Sequence, residues 1–218
     1  MRALVTGASG GLGPAVVQKL ITAGWDVAGV ARSWPGSPTG FQPLSGDMTK
    51  PDDCRRVISE AGDPSAVVHV LGGFAGGDPV HGTDDETWLR MMNINLNSAV
   101  YLFRAALPAM LRSGRGRILA IGSRVAAEPA AGLAAYGASK AALVHLVRTV
   151  AVELRGTGVT ANIVMPGTID TAANRKAMPK ADFSTWVEPG AIANLVAWLA
   201  SDEAADVNGA VIPVYGGA

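Results

Sequence analysis

Apolar residues follow two alternating rhythms along the chain. Short, almost unbroken apolar runs occupy residues 2–6, 26–31, 41–47, 66–71, 117–121, 160–165 and 210–214. Longer stretches at 11–23, 51–61, 84–111, 136–155 and 189–201 repeat apolar positions at helical spacing. A strand with little polar alternation is one covered on both faces, as in a parallel sheet under helices. The alternation therefore predicts an α/β fold: a single doubly wound parallel sheet with right-handed crossovers and helices on both faces. No internal repeat or low-complexity linker interrupts it, so residues 1–218 are expected to form one domain.

One crossover departs from the rhythm. Between the second and third runs lies RSWPGSPTG (residues 32–40), where Pro35, Gly36, Pro38 and Gly40 would break a helix. A loop or a single turn is expected there. In doubly wound sheets ligands sit outside the carboxyl ends of the strands. The loops after Thr6, Ala31, Asp47, Leu71, Ile121 and Met165 are thus the ones to search for chemistry.

Composition narrows the classes. The chain is 49% hydrophobic and 17% charged, which favours a packed core over disorder. Eighteen basic residues balance eighteen acidic ones without a Lys/Arg run, so neither nucleic acid nor an anionic membrane surface is an expected partner. The lone Cys54 cannot close an internal disulfide, and no Cys/His group has metal-ligand spacing, so no metal is expected. The first run starts at residue 2, which leaves no room for a signal peptide. No apolar run is long enough to span a bilayer. A cytoplasmic protein is expected.

Two stretches suggest chemistry. VTGASGGLGPAV follows the first strand and opens the first helix. Gly7, Gly11 and Gly13 remove side chains where a dinucleotide pyrophosphate would approach the backbone, with Ser9, Gly10 and Leu12 completing the loop. The helix N-terminus beyond offers free N–H groups and the positive end of its dipole. The spacing is G-x-x-x-G-x-G and matches the general dinucleotide fingerprint only loosely. In AAYGASKAAL (residues 134–143), Tyr136 and Lys140 are one helical turn apart and share a face. Taken alone, that pair fits an exposed surface helix better than a site.

TGASGGLG (residues 6–13), YGASK (136–140) and NIVMPGTIDT (162–171) together resemble the landmark motifs of the short-chain dehydrogenase/reductase family, in that family's order and spacing. The resemblance covers essentially the whole chain. It implies a Rossmann-type domain that binds a nicotinamide dinucleotide and moves hydride. It further implies that Tyr136 gives the proton to the substrate and that Lys140 lowers the phenol's pKa and holds the nicotinamide ribose. Ser123 would hydrogen-bond the substrate oxygen, and Asn95 (flanked by Asn93 and Asn97) would support a proton relay to the lysine. Leu71, Gly72 and Gly73 stand where the family has N-A-G, and four glycines in VLGGFAGG suggest either a backbone pressed against cofactor or a flexible loop. Asp47, next to Met48, matches an adenine-binding aspartate but could equally start the turn before Thr49. Pro166, Gly167, Thr168, Ile169 and Thr171 complete the expected cofactor contacts.

The second strand ends in Ala31, Arg32 and Ser33, without the carboxylate that would bond a ribose 2′-hydroxyl. A guanidinium there suits a 2′-phosphate, so NADP(H) is favoured over NAD(H). The segment TAANRKAMPKADFSTW (171–186), together with GFAGG, resembles the lid of dihydropteridine reductases. That branch, however, carries an Asp at the position of Ala31 and generally lacks the serine found as Ser123. The expected activity is NAD(P)(H)-dependent reduction of a carbonyl or conjugated imine, a pterin among the candidates. The alternatives are a broad ketone or 3-oxoacyl reductase and a non-catalytic NADP(H) sensor. A small-molecule substrate and a homodimer or homotetramer are the expected partners. His69, His81 and His145 are read as structural or solvent-facing, and TDDE (83–86) as a capping box. Trp88, Trp186 and Trp198 are read as packing residues.

Overall fold

Seven parallel strands line up in the order β3-β2-β1-β4-β5-β6-β7. They are β1 Arg2–Thr6, β2 Asp26–Ala31, β3 Gln42–Ser45, β4 Ala66–His69, β5 Gly116–Ile121, β6 Val159–Pro166 and β7 Val211–Val214. The computed structural model describes residues 1–34 and 36–217; Pro35, one of the expected helix breakers, lies outside them. The chain winds outward from β1 to β3, then returns to β4 on the other side of β1. The switch point between β1 and β4 opens a crevice at their carboxyl ends.

The helices are α1 Gly13–Thr22, α2 Pro51–Glu60, α3 Asp85–Met92, α4 Ser98–Ser113, α5 Ala134–Glu153, α6 Ala172–Ala177 and α7 Pro189–Ala200. Side chains alternate across each strand, and that period splits the core in two. Leu4, Val30, Val67, Ile118 and Ile163 pack with α2, α4 and α5. Ala3, Val5, Val68, Leu119 and Val164 face α1 and α7 on the other side. Every residue of β4, β5 and β6 is buried, as strands covered on both faces require.

The described part of the crossover over residues 32–41 contains no helix, as expected. The third and fourth strands are shorter than their apolar runs, ending at Ser45 and His69. The expected single helix over 84–111 is a correction. It begins as α3, widens into a π turn at Asn93–Asn97, and resumes as α4 to Ser113. Apolar spacing cannot reveal a π insertion, because the apolar face resumes after it. The expected capping box is also corrected. Asp84, not Thr83, is the N-cap, and its carboxylate accepts from Thr87 N at 2.6 Å. Thr83 Oγ1 instead donates to Pro79 O at 3.3 Å. Helix α6 lacks a sequence signal because its six residues are too few for periodicity to register.

Candidate functional site

The glycine loop is built by steric exclusion. A Cβ on Gly13 would lie 2.2 Å from Gly7 O, and one on Gly7 (φ +68°) would lie 2.9 Å from Leu71 N. Only glycine permits the loop to fold this tightly against the start of the β4 loop. Leu12 ends the loop without a side-chain cap, and Pro14 enters the first turn of α1. The leading N–H groups of α1 are therefore free of side-chain caps and aimed across the switch point, as a pyrophosphate needs. Gly11 meets the second wall of the crevice, since a Cβ there would come within 2.8 Å of Thr171 Cγ2.

At the neighbouring strand ends, Ala31 is buried while Arg32 and Ser33 are exposed. Among the described residues Arg32 has no hydrogen-bond or ion-pair partner. Asp47 forms the turn that was one of its two expected readings: its Oδ1 accepts from Thr49 N at 3.0 Å and Thr49 Oγ1 at 2.7 Å. Met48 is buried in the core beside Cys54, whose thiol donates to Met48 O at 3.4 Å. Only its backbone is left to face a ligand.

The β4 loop is pinned rather than loose. Asn95, buried in the π turn, accepts from Gly73 N at 2.9 Å and donates to Gly73 O at 3.1 Å. Its amide also donates to Ser139 Oγ at 3.0 Å, and Ser139 donates to Tyr136 O at 2.7 Å. A Cβ on Gly72 would lie 3.0 Å from Asn95 Oδ1 and 3.1 Å from Lys140 Nζ. Farther along, Gly77 N donates to Gly132 O at 2.9 Å. Asn93 and Asn97 bond each other at 3.4 Å outside this cluster, which singles out Asn95.

Tyr136 and Lys140 project from the first turns of α5 toward the end of β5. Lys140 is buried, and its ammonium donates to Ile121 O at 2.9 Å. Burial lowers its pKa to about 8. Ser123, also buried, follows the last residues of β5 and accepts from Val125 N at 3.3 Å. Burial raises the Tyr136 phenol above its ordinary value, while the neighbouring Ser123 hydroxyl pulls the other way. This corrects the expected depression by Lys140: desolvation dominates at the phenol, and the ammonium is engaged by a carbonyl. Phe74 stands edge-on to Tyr136, ring centroids 5.0 Å apart, and is 64% exposed at the mouth.

The segment after β6 closes the other side. Gly167 lies so close to the chain end that a Cβ would meet Tyr215 O at 2.4 Å. Pro166 ends β6, Thr168 O accepts from Val187 N at 2.8 Å, and Ile169 O accepts from Asn174 Nδ2 at 2.8 Å. Thr171, expected among the cofactor contacts, caps α6 by accepting from Asn174 N at 3.2 Å. Arg175 holds Asp170 through two hydrogen bonds of 2.6 Å and lies over Phe183, itself 4.7 Å from the Trp186 ring. Trp186 thus packs as expected, whereas Trp88 and Trp198 are more than a third exposed.

The structure brings Tyr136, Lys140, Ser123 and Asn95 to one end of the crevice and the glycine loop to its floor. Sequence reasoning passed over Phe74 and read His69 only as structural or solvent-facing. His69 is fully buried, with both ring nitrogens hydrogen-bonded and its pKa lowered to about 3 by burial and by the Lys140 charge. The available signal was an imidazole inside the apolar run AVVHV. His81 and His145 are exposed.

The model of the short chain dehydrogenase family matches residues 1–182. The 3-oxoacyl-[acyl-carrier-protein] reductase FabG of Escherichia coli (strain K12) is 34% identical, over 99% of this chain and 96% of that protein. The reductase MabA of Mycobacterium tuberculosis (strain ATCC 25618 / H37Rv) is 33% identical, over 98% and 91%. Among solved structures, a short-chain type dehydrogenase/reductase from Mycobacterium ulcerans superposes with a TM-score of 0.90 at 30% identity, over 99% and 88% of the two chains. A blue fluorescent protein from a metagenomic library, in complex with NADPH, does so with 0.86 at 31% identity, over 99% and 96%.

Proposed function

Because the chain belongs to the short-chain dehydrogenase/reductase family, we propose that its residues 1–218 form one nicotinamide-binding domain that reduces a small conjugated carbonyl or imine at the expense of NADPH. The observation that carries the chemistry is the cluster of Tyr136 with the buried Lys140, Ser123 and Asn95 at the switch point, facing a glycine loop in which a Cβ on Gly7, Gly11 or Gly13 would clash. When bound, the reduced nicotinamide supplies the hydride. Tyr136, held protonated in the neutral range by burial, gives its proton to the substrate oxygen or nitrogen as hydride reaches the adjacent carbon. Ser123 orients that heteroatom. Lys140 would hold the nicotinamide ribose with its charge, and Asn95 fixes the loop against which the lysine lies.

Phe74 favours a planar substrate. An exposed ring set edge-on to the proton donor offers a stacking face for a flat conjugated ring, a pterin included. The 3-oxoacyl reductase activity for which the relatives are named is the second reading, supported by Ser123 and by the extent of the match. Loss of reduced-nicotinamide absorbance with quinonoid dihydropterin, a 3-oxoacyl thioester and small ketones separates the two. Pterin turnover is expected to dominate, and Phe74→Ala to lower its kcat/KM by about tenfold, as loss of an aromatic pair does. Turnover of the thioester alone would assign the protein to the second reading.

Cofactor choice rests on Arg32, whose guanidinium has no hydrogen-bond or ion-pair partner among the described residues and follows a strand end without a carboxylate. Arg32→Ala is expected to raise the KM for NADPH by about tenfold, the worth of a charge-assisted contact, and to leave that for NADH unchanged. Equal effects on both would remove the 2′-phosphate reading. The exposed apolar side chains of Leu89, Leu111 and Val152 on α3, α4 and α5 support a homodimer or homotetramer. Balanced charge and the lone cysteine support a cytoplasmic setting.

A further inference from the structure

His69 ends β4, after three buried apolar residues, and none of its surface reaches solvent. Packing alone asks only for an apolar side chain there. An imidazole instead brings two polar nitrogens into the core, and each needs a partner. Nδ1 lies 3.0 Å from Thr6 Oγ1, and Nε2 lies 3.1 Å from Ser98 Oγ.

Proton bookkeeping assigns the direction of each bond. The single Ser98 hydroxyl proton goes to Ile94 O at 2.6 Å, so Ser98 Oγ accepts from the ring and Nε2 bears hydrogen. Thr6 Oγ1 accepts from Leu71 N at 3.3 Å and donates its own proton to Nδ1. The result is one line of four bonds through a neutral imidazole: Leu71 N–H to Thr6, Thr6 to His69, His69 to Ser98, and Ser98 to Ile94 O.

The ends of that line matter more than its length. Thr6 closes β1 and precedes Gly7, where the glycine loop begins. Leu71 opens the β4 loop, whose Gly72 and Gly73 lie against Lys140 and Asn95. Ile94 and Ser98 bracket Asn95 in and after the π turn. The imidazole therefore spans from the strand that carries the cofactor loop to the turn that presents Asn95.

We propose that His69 is a positioning residue. It ties the π turn to the end of β1 and, through Asn95, sets where Gly72, Gly73 and Lys140 stand relative to the glycine loop. This rests on the roles given above to Asn95 and Lys140. A side chain at this position that only fills space would leave the π turn without its link to β1.

Two substitutions and one spectrum test it. His69→Gln keeps a donor near the Nε2 position and hence the Ser98 link to β4, whose backbone at this residue is paired with Thr6 of β1; His69→Leu fills the space with no link. Amide hydrogen exchange of the protein alone is expected to rise about tenfold over residues 72–74 and 93–98 in the Leu variant, with the central strands unchanged, and to stay near the parent rate in the Gln variant. In single-turnover reduction the Leu variant is expected to lose about tenfold or more in rate while its NADPH Kd moves little, and Gln to restore most of the rate. Ring nitrogen resonances of the parent should show an Nε2–H tautomer that does not titrate between about pH 5 and pH 8.

A Leu variant with parental exchange at 93–98 would overturn the proposal, as would exchange rising uniformly through the sheet, which marks a merely stabilising role. If the Leu variant does not fold, the Gln variant and the parent spectrum decide. Faster exchange at 93–98 in Gln, or a ring that titrates near its ordinary value, overturns it. Exchange and tautomer need no turnover, so a failure of the reductase reading shows separately, as absent turnover in the parent.

Discussion

Tyr136→Phe is expected to lower kcat for reduction by about 10²–10⁴-fold, the worth of a positioned proton donor, and to leave NADPH binding nearly unchanged. Phenylalanine keeps the ring edge-on to Phe74 and removes only the hydroxyl, so the loss is chemical rather than a packing defect. Stability should hold or improve slightly, because the hydroxyl is desolvated where it stands. Steady-state reduction, a fluorescence titration with NADPH and a thermal melt check the three statements together. A variant that keeps more than about a tenth of the parent kcat would remove Tyr136 as the proton donor. Parallel losses of kcat and cofactor affinity would instead mark it as a binding residue.

Much of this site was legible in the chain, and the reasons are physical. Glycine spacing reports close backbone approach, and the contacts that Gly7 and Gly13 would make with a Cβ are such approaches. Tyr136 and Lys140 were readable because helical spacing alone puts them on one face. The parallel sheet followed from apolar runs that reflect burial on both faces. What stayed hidden depended on partners distant in sequence. The π turn is a local insertion that the apolar face on either side does not record. His69 reads as one polar residue in an apolar strand until Thr6, 63 positions away, and Ser98, 29 positions away, are placed beside it. The phenol's pKa could not be read either. Four-residue spacing suggests an ammonium that depresses it, but the direction is set by how much water the fold excludes.

The same burial makes Lys140 costly to the fold, and Lys140→Met tests this. An amine whose pKa is about 8 in the folded chain, against 10.5 otherwise, binds its proton less tightly when folded. Between those values the unfolded chain holds the extra proton, so stability rises with pH across that window; below about pH 8 the cost is present in full. The gap corresponds to about 3 kcal/mol at neutral pH. Methionine has similar reach and no charge, so it removes that cost. It also leaves Ile121 O without its donor, a loss of about 1–3 kcal/mol. The two nearly offset, and the melting temperature at pH 7 is expected to hold or rise by a few degrees. Turnover should meanwhile fall by about 10²–10⁴-fold, since the roles proposed for the ammonium, holding the ribose and supporting the proton donor, would both be gone. The gain relative to the parent should shrink above about pH 8, where the parent's amine begins to lose its proton in the folded chain. A Met variant destabilised by much more than the lost Ile121 bond would show that the ammonium supports the fold. Turnover within a few-fold of the parent would remove Lys140 from the chemistry. The expected pair of results, activity lost and stability kept, would mean that the buried charge is retained for catalysis at the expense of the fold.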